Sequence, residues 1–400
     1  MRLRDRTVAL VAAWLVVAAA SGIPPGAGAA EHAHGSHGRA HAATGVLSLD
    51  VYASAAELHL LLGRSDEAGK RTLWYQHSRD GGLSWSRPVR VDAGSPAAQT
   101  FRRGNDAQIA FSSGTLTAVW TGQGTGWGGT GPLVTAISRD GGASWRRGAA
   151  PADGAATATQ SFIELTADAA GFRLAWIDSR DEVPGLRYAS SADPGRAWSA
   201  NATVAAQTCD CCWNSLVTAG ADLLLLYRGH SPRDMALASS RTGAAWRRIG
   251  PVGAFNWQID ACPETGGALA VTRSRTLHAL AWTGSERALG LYHLRSADSG
   301  AAWSKPQRLG GMDARHADLA AGSDGSLFAV WDDAADHVIR AAISRDDGST
   351  WSSPRAVSTA AAQASHPRAV AVGGGYRVFW TEMARSGAIL DWKTELVTLR

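Results

Sequence analysis

Four cysteines and a scatter of histidines and arginines carry the reactive chemistry of this sequence. Cys209, Cys211 and Cys212 sit in the string CDCCWN, and Cys262 follows in FNWQIDACP. In an oxidising compartment such a set forms two disulfides, one from Cys262 to a member of the trio and one within the trio. Reduced, the same thiolates are soft ligands suited to Cu(I) or Zn. The C-x-C-C spacing matches none of the usual zinc patterns. Disulfide and metal readings both fit these residues. His316 in MDARHAD and His366 in ASHPRA add imidazoles to the candidate metal set, and His32 opens a group with His34, His37 and His41. A second chemistry is polar recognition. Arg228, Arg233 and Asp234 share the string YRGHSPRDM, Trp257 and Asp260 precede Cys262, and Arg315 and Arg368 flank the two histidines. Arginine holds carboxylates bidentately, so these seven are candidate ligand-binding residues.

The elements that must position these residues form a repeat. SRDGGLSW at 78–85 returns as SRDGGASW at 138–145, SADPGRAW at 191–198, SSRTGAAW at 239–246, SADSGAAW at 296–303 and SRDDGSTW at 344–351. The frame is Ser-x-Asp-x-Gly-x-x-Trp. Asp80, Asp140, Asp193, Asp298 and Asp346 supply the acid, and Arg241 stands in its place once. Apolar runs ending in Trp120, Trp176, Tyr227, Trp282, Trp331 and Trp380, with LHLLLG at 58–63, give seven further copies about fifty residues apart. Short runs before and after complete four strands per unit, the pattern of a β-propeller. Six phrases suggest six blades. The last segment, PRAVAVGGGYRVFWTEMARSGAILDWKTEL, has strands but no phrase and makes seven the preferred count. The start of the mature chain is expected to complete that last blade.

In each phrase Asp can accept hydrogen bonds from the turn's own N–H groups and Gly can take a positive φ. Trp85, Trp145, Trp198, Trp246, Trp303 and Trp351 are expected to be buried beneath the turns.

The phrase resembles the Asp box, or BNR repeat, of the sialidase superfamily, across nearly all of residues 45–400. The resemblance implies an all-β propeller whose Asp-box turns are structural and remote from any active site. The CxCC element, YRGHSPRDM and WQIDACPETGG look like a branch of bacterial Asp-box proteins. Sialidases of the family need three arginines, a tyrosine nucleophile with a glutamate, and an acid aspartate. Arg102, Arg103, Arg228, Arg233, Arg315 and Arg368 supply arginines here, and Tyr227 is the candidate nucleophile. The family's Phe/Tyr-Arg-Ile-Pro motif is absent, since FRRG at 101–104 follows the first phrase and lacks Ile-Pro.

In propellers the ligand face gathers the starts of the innermost strands and the loops between second and third strands. FRRGND, CDCCWN, FNWQIDACP, MDARHAD and ASHPRA fall at the first kind of position. WIDSRDEVPG, YRGHSPRDM, WTGSER, WDDAADH and WTEMAR fall at the second. Arg, His, Asp and all four cysteines collect there. The expected function is a binding module for a small molecule, glycan or metal, with copper as its specific ion. The alternatives are an exo-sialidase or other glycosidase, and a scaffold for a protein partner.

The chain ends and the composition set the context. MRLRDR followed by TVALVAAWLVVAAA and Ala27-Gly28-Ala29 reads as a secretory signal over 1–29. No later run is apolar enough to span a bilayer, so a periplasmic or extracellular protein is expected. Residues 30–44 read as a flexible His-rich tail. Cleavage after Ala29 places His32 third, where amine, backbone nitrogens and imidazole suit square-planar Cu(II). Gly (45), Trp (17) and only 18% charged residues suit a turn-rich β protein with a large core. The net charge of +4 is spread without long basic runs, which excludes nucleic acid as the expected partner.

Overall fold

The computed structural model describes residues 44–55, 57–95, 103–126, 129–154, 159–181, 183–384 and 389–399. The expected leader and the tail histidines, His32 included, lie outside these residues. Every regular element is a strand, and no helix among the described residues is long and apolar enough to cross a membrane.

Blade one is β1 (Thr44–Ala53), β2 (Leu58–Ser65), β3 (Arg71–Ser78) and β4 (Val89–Arg90). Blade two is β5 (Gln108–Ser112), β6 (Thr115–Gln123), β7 (Thr130–Ser138) and β8 (Arg146–Arg147). Blade three is β9 (Gln160–Asp168), β10 (Gly171–Asp178), β11 (Gly185–Ser191) and β12 (Ala202–Ala205). Blade four is β13 (Ser215–Ala219), β14 (Asp222–Arg228), β15 (Met235–Ser240) and β16 (Arg247–Val252). Blade five is β17 (Gly267–Val271), β18 (Leu277–Thr283), β19 (Gly290–Ser296) and β20 (Gln307–Gly310). Blade six is β21 (Ala314–Ala321), β22 (Leu327–Asp333), β23 (Val338–Ser344) and β24 (Arg355–Ala356). Blade seven is β25 (Gln363–Val372), β26 (Gly375–Met383) and β27 (Ile389–Thr398). The protein is a seven-bladed propeller.

Seven apolar clusters decide that count, one at each junction of neighbouring blades. The sequence builds them by alternation. In LLLLY of β14, Leu223, Leu225 and Tyr227 face blade three, while Leu224 and Leu226 face blade five. A strand covered on both faces reads as a continuous apolar run. The ring closes through the start of the chain, as expected. Thr44 and Gly45 of β1 pair in parallel with Ile389 and Leu390 of β27, so the first described residues take the fourth place in blade seven and join blades seven and one into one sheet.

The repeated phrases are the turns between third and fourth strands. Asp80 accepts from the backbone N–H of Leu83 (3.0 Å) and Ser84 (2.9 Å), and from the hydroxyls of Ser78 (2.7 Å) and Ser84 (2.5 Å). Asp140, Asp298 and Asp346 repeat much of this set. Hydrogen bonds from Ser144 hold the Asp140 carboxyl down at about 2, and those from Thr350 do the same for Asp346. The blade-four turn is one residue shorter than the sequence frame implies. Ser240, not Ser239, receives the Gly243 N–H (2.9 Å), so Thr242 rather than Arg241 fills the acid's place and takes the Ala244 N–H (3.3 Å). The six tryptophans are half-buried rather than buried. Each leans onto the preceding blade, as Trp145 does on Tyr75 (5.4 Å) and Trp246 on Tyr188 (5.1 Å).

Candidate functional site at the channel mouth

The inner strands line the channel and are edges, so their N–H groups need partners. Five of the seven blades lend a side chain to the inner strand of the next. Asp50 accepts from Ile109 N (2.9 Å), Gln108 from Leu165 N (2.5 Å), Glu164 from Leu216 N (3.5 Å), Ser215 from Leu269 N (3.1 Å) and Asp318 from Ala369 N (2.8 Å). Arg368 answers the resulting negative charge, reaching Asp50 at 3.3 Å and Asp318 at 3.8 Å. A third of its side chain (33%) is open to solvent. Burial works to lower its pKa, but Asp318, Asp50 and Glu164 hold it above the usual guanidinium range. Burial raises the pKa of Asp50 and pushes Glu164 up to about 7, against the pull of Arg368 on both. Arg368 therefore lies in the channel as a counter-charge.

Above this layer three inner strands carry the same bulge. β9, β21 and β25 each insert one residue against their partner strand, and the inserted positions hold Phe162 (φ 51°), His316 (φ 47°) and His366 (φ 52°). Bulges re-aim side chains. Here they bring His316 and His366 face to face, ring centres 3.5 Å apart and planes 15° apart. Asp332, 4% exposed at the end of β22, holds His316 Nδ1 at 2.6 Å and accepts the His366 backbone N–H at 2.8 Å. A carboxylate only accepts, so the neutral His316 carries its proton on Nδ1 and leaves the Nε2 lone pair available. Arg103 ties the group to blades one and two, donating to His366 O (2.6 Å), Leu49 O (2.7 Å) and Asp106 (2.6 Å).

Trp213 stands beside this pair. Its ring lies 5.4 Å from His316 and 6.3 Å from His366. Glycines leave room for it. A Cβ on Gly104 would sit 3.4 Å from the indole, and one on Gly266 only 2.5 Å from Cδ1. Cys209–Cys212 and Cys211–Cys262 are disulfides, so the residue before Trp213 is cross-linked and the loop carrying Cys262 is tied to blade four. No free cysteine remains. The disulfide reading thus describes the protein as it stands. Arg315 closes the rim, its guanidinium 4.1 Å over Trp282, with Nη1 donating to Met312 O and Ala314 O.

Three expected ligand residues, Arg228, Asp234 and Trp257, are scaffolding instead. Arg228 is 1% exposed and gives its donors to the carbonyls of Thr265 (2.8 Å), Arg233 (2.5 Å), Trp282 (3.0 Å) and Gly266 (3.5 Å). Asp234 caps the N–H groups of Asn256 (2.7 Å) and Trp257 (3.0 Å). Trp257 is buried between Arg228 and Trp282. Arg233 is 7% exposed; its backbone N–H donates to Trp257 O at 2.7 Å, while its guanidinium Nε and Nη1 are buried with no partner among the described residues. These residues pin the 253–266 loop onto blade four, because a long loop over a propeller face needs its backbone groups satisfied. Asp260 is exposed on that loop. Tyr227, the candidate nucleophile, is 3% exposed in the blade-three core. Sequence reasoning therefore brought His316, His366, Arg315 and Arg368 to the mouth. It missed Trp213, Asp332 and Asp106 as site residues.

No family model and no curated protein matches this chain. Solved structures do. An ulvan lyase, a polysaccharide lyase bound to a GlcA–Rha3S saccharide, superposes with TM-score 0.61 at 13% identity, covering 90% of this chain and 95% of its own. The α-L-arabinanase of Penicillium chrysogenum, complexed with arabinobiose, gives 0.50 at 13% identity, covering 88% and 93%. The NanB sialidase of Streptococcus pneumoniae gives 0.48 at 10% identity, covering 88% and 68%. At these identities the likeness is one of fold: this chain shares the propeller fold of the ulvan lyase and the arabinanase.

Proposed function

We propose that this chain is an exported carbohydrate-active propeller whose channel mouth binds an acidic glycan and cleaves it by base-catalysed elimination. The observation that carries this reading is His316, oriented by Asp332 and stacked on His366 beside Trp213. A uronate loses the proton next to its carboxylate only if a base is placed there and the growing charge is held. His316 Nε2 takes that proton. Arg315, whose Nε and Nη2 have no partner among the described residues, holds the carboxylate. Electrons from the broken C–H bond form a carbon–carbon double bond, and the bond to the leaving sugar oxygen breaks. His366 supplies that oxygen with a proton. Trp213 offers the flat apolar face on which a sugar ring rests. The ulvan lyase fold, 90% of this chain in extent, supports the substrate class. Sialoside hydrolysis has less support, since Tyr227 is buried and Arg228 is occupied by carbonyls.

The test is incubation of untagged protein with uronate polysaccharides, a glucuronate–rhamnose sulfate polymer first. Ultraviolet absorbance of unsaturated ends is followed, and turnover on the order of 1–10³ s⁻¹ is expected. New reducing ends without that absorbance would mean hydrolysis and remove elimination. Binding without either product would leave a glycan-binding module and remove catalysis.

A further inference from the structure

The four cysteines converge more tightly than a loop staple requires. Cys209 is bonded to Cys212 and Cys211 to Cys262, yet Cys209 Sγ is also 3.7 Å from Cys211 Sγ. The sulfurs of Cys209, Cys211 and Cys212 all lie within 4.8 Å of one another. These three are 0%, 4% and 1% exposed, packed among Phe162, Ile177 and Leu216, whereas solvent reaches Cys262. Their positions do not depend on the bridges alone. Cys209 N donates to Arg228 O (3.1 Å), and Thr208 donates to Pro184 O (2.8 Å) and through its hydroxyl to Arg228 O (2.7 Å). The Cys262 loop is held by Asp234 and Arg228. Opening both bridges would leave the thiols of Cys209, Cys211 and Cys212 within 4.8 Å of one another, with Cys262 beside Cys211, on a backbone anchored elsewhere.

We propose that the reduced protein binds one Cu(I) through Cys209, Cys211, Cys212 and Cys262, so that this cluster is a redox-gated soft-metal site. Thiolates are soft donors, and Cu(I) accepts them. The C-x-C-C spacing departs from the separated pairs that a tetrahedral zinc site uses. A dithiol reductant opens the site. Its first thiolate attacks Cys262, the sulfur within reach, and releases Cys211; its second thiol resolves the mixed disulfide and leaves as a disulfide. The Cys211 thiolate, 3.7 Å from Cys209, then attacks the second bridge, forms Cys209–Cys211 and frees Cys212. A second dithiol reduces that bond. Four electrons and four protons have entered as two dithiols became two disulfides. The thiols give up protons as the ion binds. Because Trp213 follows Cys212, the indole beside His316 reports the state of the site. This inference goes beyond the glycan reading and does not depend on it.

The experiment is a Cu(I) titration of untagged full-length protein against a chromogenic Cu(I) chelator under anaerobic conditions, with and without prior reduction by dithiothreitol. A second protein carries His32→Gln, His34→Gln, His37→Gln and His41→Gln, which removes the tail. The expected result is one Cu(I) per chain taken up by both reduced proteins and none by the oxidised tail variant. A Cys209→Ser/Cys212→Ser variant keeps the Cys211–Cys262 bridge and should lose at least about a hundredfold in Cu(I) affinity after reduction. If that variant does not fold, Cu(I) protection of the wild-type thiols from alkylation, counted by mass spectrometry, is the substitute readout. Protection of all four supports the site. Equal uptake by oxidised and reduced tail variant, alkylation unaffected by Cu(I), or preferential retention of Zn(II) would overturn it.

Discussion

His316 and His366 are stacked, with ring centres 3.5 Å apart and planes only 15° apart. A metal bound by imidazole lies in the ring plane, along the nitrogen lone pair. His316, Asp332 and His366 each offer a ligand atom within 4.8 Å of the others, but the stacked rings aim their lone pairs along nearly parallel planes, so a shared ion would need a ring to turn. Asp332 opposes that turn for His316 by holding Nδ1. The first prediction is therefore that His316→Gln leaves Cu(II) and Zn(II) uptake by the oxidised, tail-substituted protein unchanged within about twofold. A larger loss, read by equilibrium dialysis, would return the two histidines to the metal set.

The second prediction concerns Asp332 as a positioning residue. Asparagine in its place can donate to His316 Nδ1 and so favours the tautomer with the proton on Nε2, the wrong nitrogen for a base. On the elimination reading, Asp332→Asn should lower kcat on the order of a hundredfold or more with little change in KM. A purely structural role would instead move the thermal midpoint and leave kcat per folded molecule intact. Measuring both on one preparation separates the two.

Arg228 gives the third. As a ligand residue it would change affinity when replaced. As a pin it should change stability, because four carbonyls lose their donor in a site that water does not reach. Arg228→Met should cost on the order of 3 kcal/mol, roughly 5 °C or more in Tm. Glycan affinity of the remaining folded protein should hold. Weakened binding with an unchanged Tm would reverse the assignment.

The fold was legible because its signals are local and repeated. Each turn phrase holds its own hydrogen-bond partners within four residues, and each middle strand is apolar on both faces. The shortened turn at Ser240 was not, since Ser239 and Ser240 are the same residue type and only the strand end separates them. The site was half legible. His316 and His366 could be placed on the right face from blade order. Their stacking depends on bulges at positive φ, which histidine rarely adopts, and no composition rule announces that. Arg228 and Asp234 misled for a physical reason. A charged residue deep in a loop junction looks, in sequence, like one waiting for a ligand, and only the carbonyls around it show that its donors are taken.

The last prediction lies on the opposite side of blade five, where the turn phrases sit. Trp351 Nε1 can only donate, so His293 Nδ1, 3.2 Å away, must accept. His293 Nε2 then carries the proton toward His278 Nδ1 at 3.1 Å, and His278 Nε2 donates to Asp347 at 3.2 Å. Asp347 also takes the hydroxyls of Thr272 (2.7 Å), Thr276 (2.8 Å) and Ser274 (2.9 Å). Every proton in this chain points the same way, and both imidazoles are neutral. A further proton on His278 Nδ1 would face the His293 N–H and break the chain. Burial pulls His293 down to about 3, helped by His278 and Arg295, and burial also lowers His278 against the opposing pull of Asp347. Folded pKa values below the unfolded value near 6.5 mean that the unfolded state takes protons first as pH falls. The stabilisation is thus complete above about pH 6.5 and is lost progressively as pH drops toward 3. Its size is on the order of 5 kcal/mol for His293. His293→Gln can still accept from Trp351 and donate to His278 but does not titrate. Urea unfolding midpoints at pH 7 and pH 4 should therefore differ more for the native protein than for His293→Gln. Equal losses in the two would remove the histidine chain as the source of acid sensitivity.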